Sequence, residues 1–139
     1  MGEPPCYAHL VDEDGQIHEV PAVQIRRVYD AGPSKPTETR VLVDRIWPRG
    51  VAKSKLHLDG WYQDLAPSDD LRKWFAHDAT KWPEFRKRYR AELSTKRERV
   101  SELAGLARKQ PLVLLYSARD VQHNQARVLR DVVEEELET

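Results

Sequence analysis

Two short stretches of this chain gather side chains that could do chemistry. They are Asp44-Arg45-Ile46-Trp47-Pro48-Arg49-Gly50, and Tyr116-Ser117-Ala118-Arg119-Asp120 with His123 and Asn124 just beyond. In the first, Arg45 and Arg49 offer planar, permanently charged donors suited to phosphate or carboxylate, and Trp47 offers a face for stacking a base, a ring or a guanidinium. Pro48 fixes its own φ and biases Trp47 towards an extended backbone, while Gly50 permits a turn that other residues resist. Strand alternation through this stretch would put Asp44 and Ile46 on one face and Arg45 and Trp47 on the other.

The second stretch brings a hydroxyl, a guanidinium, a carboxylate, an imidazole and an amide within nine residues. His123 could move protons near neutral pH and Asp120 could orient it, although helix capping competes for the same carboxylate. Ser117 completes the catalytic candidates His123, Asp120 and Ser117, but no Gly-x-Ser-x-Gly elbow surrounds it. A third stretch, Trp74-Phe75-Ala76-His77-Asp78, ends a helical pattern. Its aromatics are expected in the core, and His77 could reach the same pocket. The candidate ligand-binding set is therefore Asp44, Arg45, Trp47, Arg49, Arg119, Asn124 and His77. A purely structural alternative pairs Asp44 and Arg45 with Arg119 and Asp120 in crossed ion pairs that neutralise charges at strand ends. No His-x-x-x-His pattern occurs and Cys6 is the single cysteine, so no metal, cofactor or thiol chemistry is expected.

The elements that must position these groups can be read from periodicity. Val41-Leu42-Val43 and Leu112-Val113-Leu114-Leu115 are continuous apolar runs without alternation, as in parallel strands covered on both faces, with helices above and below. Ala22 to Val28 is a further expected strand, and Ala31 to Thr39 a proline-interrupted loop. Ser68 is the expected N-cap of a helix whose Leu71, Trp74 and Phe75 share a stripe. Phe85, Tyr89 and Leu93, then Val100, Leu103 and Leu106, extend helical spacing on either side of a break near Ser94-Thr95. A last helix is expected over about Gln122 to Leu137, with Asp120 as N-cap and Val128, Leu129, Val132 and Val133 facing the core. Ligands of such sheets bind at the carboxyl ends of the strands, where both chemical stretches fall. Asp14-Gly15, between short apolar runs, predicts a hairpin near the start of the chain. The expected class is α/β: a small, mainly parallel sheet flanked by helices, with a hairpin extension over 1–22 and one domain over 23–139.

The chain has 139 residues, 40% hydrophobic and 33% charged, which suits one globular core and lies outside the disordered range. No apolar stretch approaches the roughly 20 residues of a membrane span and no secretory signal is visible, so a soluble, cytoplasmic protein without a membrane partner is expected. Lys plus Arg total 23 and Asp plus Glu total 23, which removes any global attraction to nucleic acid. A local excess remains between residues 81 and 99. Lys81, Arg86, Lys87, Arg88, Arg90, Lys96, Arg97 and Arg99 stand there against Glu84, Glu92 and Glu98. Water facing one side of a helix explains most such runs.

Taken together, Ile25-Arg26-Arg27-Val28-Tyr29-Asp30, Arg40 through Gly50, Leu65-Ala66-Pro67-Ser68, Leu71 through Asp78 and Leu114 through Asp120 closely resemble the YeaO-like branch of a bacterial family, domain of unknown function 488. The match covers about Val23 to Val133. It implies a small bacterial α/β domain and no established reaction. The first 20 or so residues fall outside it. Longer members carry cysteines near the last strand and following helix, where this chain has Ser117, Ala118 and Asn124, so a thiol mechanism does not carry over. The expected function is binding of an anionic, phosphate- or nucleotide-like small molecule in a strand-end pocket, with or without turnover. The alternative is a nucleic-acid-binding or regulatory module that uses the 81–99 helix, with Trp82 and Tyr89 as stacking groups. Oligomeric state is left open.

Overall fold

The computed structural model describes residues 7–11 and 14–138. Two strands, β1 (Tyr7–Val11) and β2 (Ile17–Pro21), pair antiparallel with Tyr7 opposite Pro21 and Val11 opposite Ile17. Gly15 holds φ +81° in their connection, the left-handed conformation that the Asp14-Gly15 pair suits. This hairpin forms its own two-stranded sheet, separate from the main one.

The main sheet contains β3 (Val23–Arg27), β4 (Thr39–Leu42), β5 (Gly60–Trp61) and β6 (Leu112–Tyr116), in the spatial order β3-β6-β4-β5. Every pairing in it is parallel, with Leu112 of β6 beside both Val23 and Thr39. Central β6 has all five residues buried, which is why its sequence lacks alternation.

Both faces of the sheet are covered, but not both by helices. Val41, Val43, Leu112, Leu114 and Tyr116 pack against α1 (Asp69–Phe75), α2 (Trp82–Ser94), α3 (Arg97–Lys109) and α4 (Gln125–Leu137) in one core. Leu42, Val113 and Leu115 face the other way, onto Val28, Ala31, Leu56 and the partly buried Trp47, Val51, Leu58 and Trp61. Irregular chain thus covers the face where the apolar runs predicted a second helical layer.

One buried cation lets loop chain do a helix's work. Arg40 is 1% exposed, and its Nη2 donates to the carbonyls of Ala31 (2.6 Å), Gly32 (3.0 Å) and Pro33 (3.0 Å) while Nε donates to Glu38 (3.2 Å). Arg26 bonds both Glu38 oxygens from the other side. Burial alone would push the Glu38 carboxyl up. The hydrogen bonds and charges of Arg26 and Arg40 outweigh that and hold it below its ordinary value.

The helices start and stop for local reasons. Ser68 caps α1 by accepting from the Leu71 amide, and Glu92 of α2 accepts from both the amide (2.9 Å) and hydroxyl (2.5 Å) of Ser68, tying that cap to its neighbour. Ser94 and Thr95 hydroxyls bond back to the Ala91 and Glu92 carbonyls, and the chain breaks into α2 and α3 there. The last helix begins at Gln125, with Asn124 as its cap through a bond from the Arg127 amide. Asp120, expected in that role, caps the preceding turn through the Gln122 and His123 amides.

Candidate functional site

The β4 ladder closes with the Val43 amide on the Leu115 carbonyl, after which the chain leaves the sheet beside the end of β6. The backbone of Asp44 and Arg45 is held from the β5 side, by Trp61 Nε1 on the Asp44 carbonyl (2.7 Å) and Gln63 Nε2 on the Arg45 carbonyl (3.1 Å). Between these two strand ends, the start of α1, the end of α1 and the start of α4 lies a cavity of about 200 Å³. Its walls include Ile46, Ala66, Pro67, Phe75, Phe85 and Ala118, and its polar groups are Asp44, Arg45, Arg72, His77, Ser117, His123, Asn124 and Gln125.

Asp44 is the most unusual of these groups. It is 7% exposed; Oδ1 accepts from Gln125 Nε2 at 2.6 Å, and Oδ2 is buried without a hydrogen-bond partner. Burial raises its carboxyl above the ordinary aspartate range, against the smaller opposing pull of Ser117 and Gln125. Ser117 lies close enough to favour the charged form, yet none of these groups closes a bond on Oδ2.

That placement gives a pH-dependent expectation. A folded-state pKa above the unfolded one means stability that is complete below the ordinary value of 3.8 and is lost as pH rises through the raised one. Asp44→Asn is therefore expected to match the parent protein in acid and to exceed it near pH 7. The gain should be on the order of 1 kcal/mol, the size of the penalty for an unpaired buried polar atom. Urea unfolding of both proteins across pH 3.5–7 tests this, and a difference that does not change with pH would remove Asp44 as a strained acid.

Arg45 does not share a face with Trp47 as strand alternation predicted, because the strand has already ended. Its Nε donates to the Pro67 carbonyl (2.9 Å) and Nη2 to that of Ala66 (3.4 Å), with Asp69 at 3.7 Å. Arg72 shares Asp69 at 3.4 Å and reaches the cavity from the exposed side of α1. Ala76 and His77 both have positive φ, 46° and 59°, so the chain turns sharply after α1 and brings His77 to the rim. His123 stands with Nδ1 2.8 Å from Asp120 Oδ2, and its ring meets Trp82 edge-on at 5.3 Å. The hydrogen bond from His123 is the main reason that the Asp120 carboxyl sits below its ordinary range. Capping and orienting do not compete: one Asp120 oxygen serves the turn amides and the other serves the ring.

The fold thus brings Asp44, Arg45, His77, Ser117, His123 and Asn124 around one cavity, with Asp120 behind His123. Three other candidates lie elsewhere. Trp47 packs edge-on against Trp61 at 5.3 Å and donates to the Val51 carbonyl, in the core of the opposite sheet face. Arg49 is exposed, and its carbonyl accepts from Tyr29. Arg119 is exposed and does not line the cavity. The crossed ion pairs are absent among the described residues, since Asp44 is bonded to Gln125, Arg45 to carbonyls and Asp120 to His123. No hydrogen bond joins Ser117 to His123 among them, so the pair lacks the contact that would activate a nucleophile. No three His, Cys, Asp or Glu side chains converge on a metal-sized space among the described residues.

The basic segment also differs from expectation. Tyr89 is fully buried and donates to the Leu65 carbonyl at 2.6 Å, so it cannot stack on a base. Trp82 is stacked on Phe85 at 5.6 Å. Arg88, Arg90 and Arg99 form ion pairs with Glu84, Glu135 and Asp64. Arg72, Phe85 and Gln125 were missing from the sequence-based site. Arg72 sits on the solvent side of its helix and Phe85 fits a core stripe, while Gln125 reaches Asp44 across 81 positions, so no local pattern marks any of the three.

Among the described residues, no helix is long and apolar enough to cross a membrane. The family model described as the inactive DUF488-N3 subclade matches residues 22–139. The chain is 44% identical over 110 residues to the uncharacterized protein YeaO of Escherichia coli strain K12, covering 78% of this chain and 94% of that protein. It is 36% identical over 112 residues to the uncharacterized protein Rv3073c of Mycobacterium tuberculosis strain H37Rv, covering 80% and 92%. No solved structure matches it. A model match over most of the chain and a relative of that similarity agree, and the protein belongs to the DUF488 family, as a YeaO-like member.

Proposed function

We infer that this protein binds a small, anionic metabolite in the cavity at the carboxyl ends of β4 and β6. The observation that carries this reading is the lining itself, in which Arg45, Arg72, His77 and His123 border an enclosure of about 200 Å³. Side chains from loops after two parallel strands meet there beside the start of α4, the usual place for ligands of open parallel sheets. A cavity of that volume lies below the roughly 300–1,000 Å³ of sites for drug-sized molecules, which favours a compact ligand. Arg72 is the most accessible cation at the rim and is held only by Asp69 among the described residues. An incoming phosphate or carboxylate can take over that partnership with a paired, charge-assisted bond.

Binding without turnover is favoured by the uncoupled Ser117 and His123, and by the description of the subclade as inactive. The burial of Tyr89 and the ion pairing along α2 leave the nucleic-acid alternative without a specific feature in its favour.

Thermal unfolding against inorganic phosphate, small alkyl phosphates and nucleoside monophosphates tests the reading. A ligand at 100 times its dissociation constant should add about 2.7 kcal/mol of stability. Arg72→Ala should weaken the binding at least about tenfold, or 1.4 kcal/mol, while leaving the melting temperature of the free protein within a degree or two. If none of these anions shifts the transition at millimolar concentration, the cavity is not an anion site.

A further inference from the structure

The polar groups of the cavity differ in burial and chemistry. At the buried end stand Asp44 Oδ2, which has no partner, and beside it the half-buried Ser117, whose hydroxyl can donate towards the carboxylate as well as accept. Gln125 stands there too, its amide nitrogen already given to Asp44 Oδ1 and its amide oxygen left to accept. Asn124 is 2% exposed, but its oxygen takes the Arg127 amide and its nitrogen goes to the Asp120 carbonyl, so it serves the helix start. Arg72 and His77 are exposed, and Arg45 and His123 are half-buried. Phe75 and Phe85, stacked at 4.3 Å, and Ala118 and Pro67 form apolar wall.

A bare anion satisfies only half of this arrangement. Pushed to the buried end it meets acceptors and a carboxyl, and left at the rim it leaves Asp44 Oδ2 without a donor. An ammonium group is the complement of the buried end, because it carries three donors and no acceptor.

We propose that the ligand of this cavity is a short zwitterion, with a primary ammonium seated against Asp44 Oδ2 and Ser117 Oγ and a phosphate or carboxylate at the Arg72 rim. This assignment rests on the anion-binding reading and adds the chemistry of the ligand's other end. The ammonium makes the ionised form of Asp44 the favourable one on binding, so a strained group of the empty protein becomes the ligand's counter-ion.

Calorimetric titration of the full chain with ethyl phosphate, 2-aminoethyl phosphate and 3-aminopropyl phosphate decides it. The better aminoalkyl phosphate is expected to bind at least about tenfold more tightly than ethyl phosphate, a difference of about 1.4 kcal/mol. Asp44→Asn should reduce that advantage below about threefold with ethyl phosphate affinity retained, and Ser117→Ala should reduce it in the same direction. Equal affinities for ethyl and aminoalkyl phosphates in the parent protein would overturn the zwitterion and leave the anion site standing. An advantage that survives in both variants would overturn the seat at Asp44 and Ser117. If neither kind of phosphate binds, the anion-binding reading fails and the zwitterion with it. Should Asp44→Asn not fold, the parent comparison and Ser117→Ala still decide.

Discussion

Arg40→Met is expected to lower the free energy of unfolding by about 3–5 kcal/mol, the range for removing one partner from a buried, hydrogen-bonded charge. The methionine fills similar space, so the loss measures unmade bonds rather than a void. Four acceptors lose a donor at once: the carbonyls of Ala31, Gly32 and Pro33, and Glu38. Gly32 and Pro33 are exposed enough for water to replace the guanidinium, whereas Ala31 and Glu38 are buried and keep Arg26 as their donor. Loosening this loop also uncovers Val28 and Ala31, which cover β6 on the face without helices. The midpoint of thermal unfolding should fall by roughly 10 °C or more, and limited proteolysis should begin between residues 31 and 38. A loss below about 1 kcal/mol would show that water satisfies the loop and that Arg40 does not hold it. The effect should shrink in acid. Glu38 sits below its ordinary value of 4.5, so its contribution is complete above that pH and is lost as pH falls through the lowered value.

Phe85→Ala is expected to cost a similar amount, about 3–5 kcal/mol, with a second consequence at the cavity. Phe85 is 2% exposed and sits among Phe75 at 4.3 Å, Trp82 at 5.6 Å and Tyr89 at 5.7 Å, an aromatic cluster that joins α1 to α2. Its ring also forms cavity wall, so truncation merges the new void with the existing one. Denaturant unfolding should therefore show the loss in stability, while the phosphate affinity proposed for the Arg72 rim should fall much less. Phe85→Leu, which keeps most of the volume, should recover more than half of the stability. An alanine variant as stable as the parent would mean that the cluster is not packed as described.

Much of the scaffold was legible in sequence because its causes are local. The Ser68 cap, the stripe Phe85-Tyr89-Leu93 and the break at Ser94-Thr95 depend on residues within a turn or two of each other. The runs at 41–43 and 112–115 announced strands buried on both faces, and those strands are buried. What they could not announce is the covering material, since a loop and a helix can bury the same strand face. The loop is possible here because Arg40 satisfies three of its carbonyls. A single arginine in a short strand carries no sign of that role in its own neighbourhood.

The same distinction runs through the site. By itself the sequence determined that chemically capable groups collect at two strand ends, and that Asp120 and His123, three residues apart, would meet. Only the tertiary structure decided which of those groups share a space. Beyond the end of β4 at Leu42 the strand period no longer applied, so Arg45 turned to the cavity and Trp47 to the opposite core. Arg49 and Arg119, charged and easily hydrated, stayed in solvent. Gln125 reached Asp44 only because α4 packs back across the sheet, and Asp44 Oδ2 was left without a donor because that packing closed around it. Local sequence sets a residue's conformation through short-range sterics and hydrogen bonds. Partners far apart in the chain are chosen by the burial of the whole core, which no short window of sequence contains.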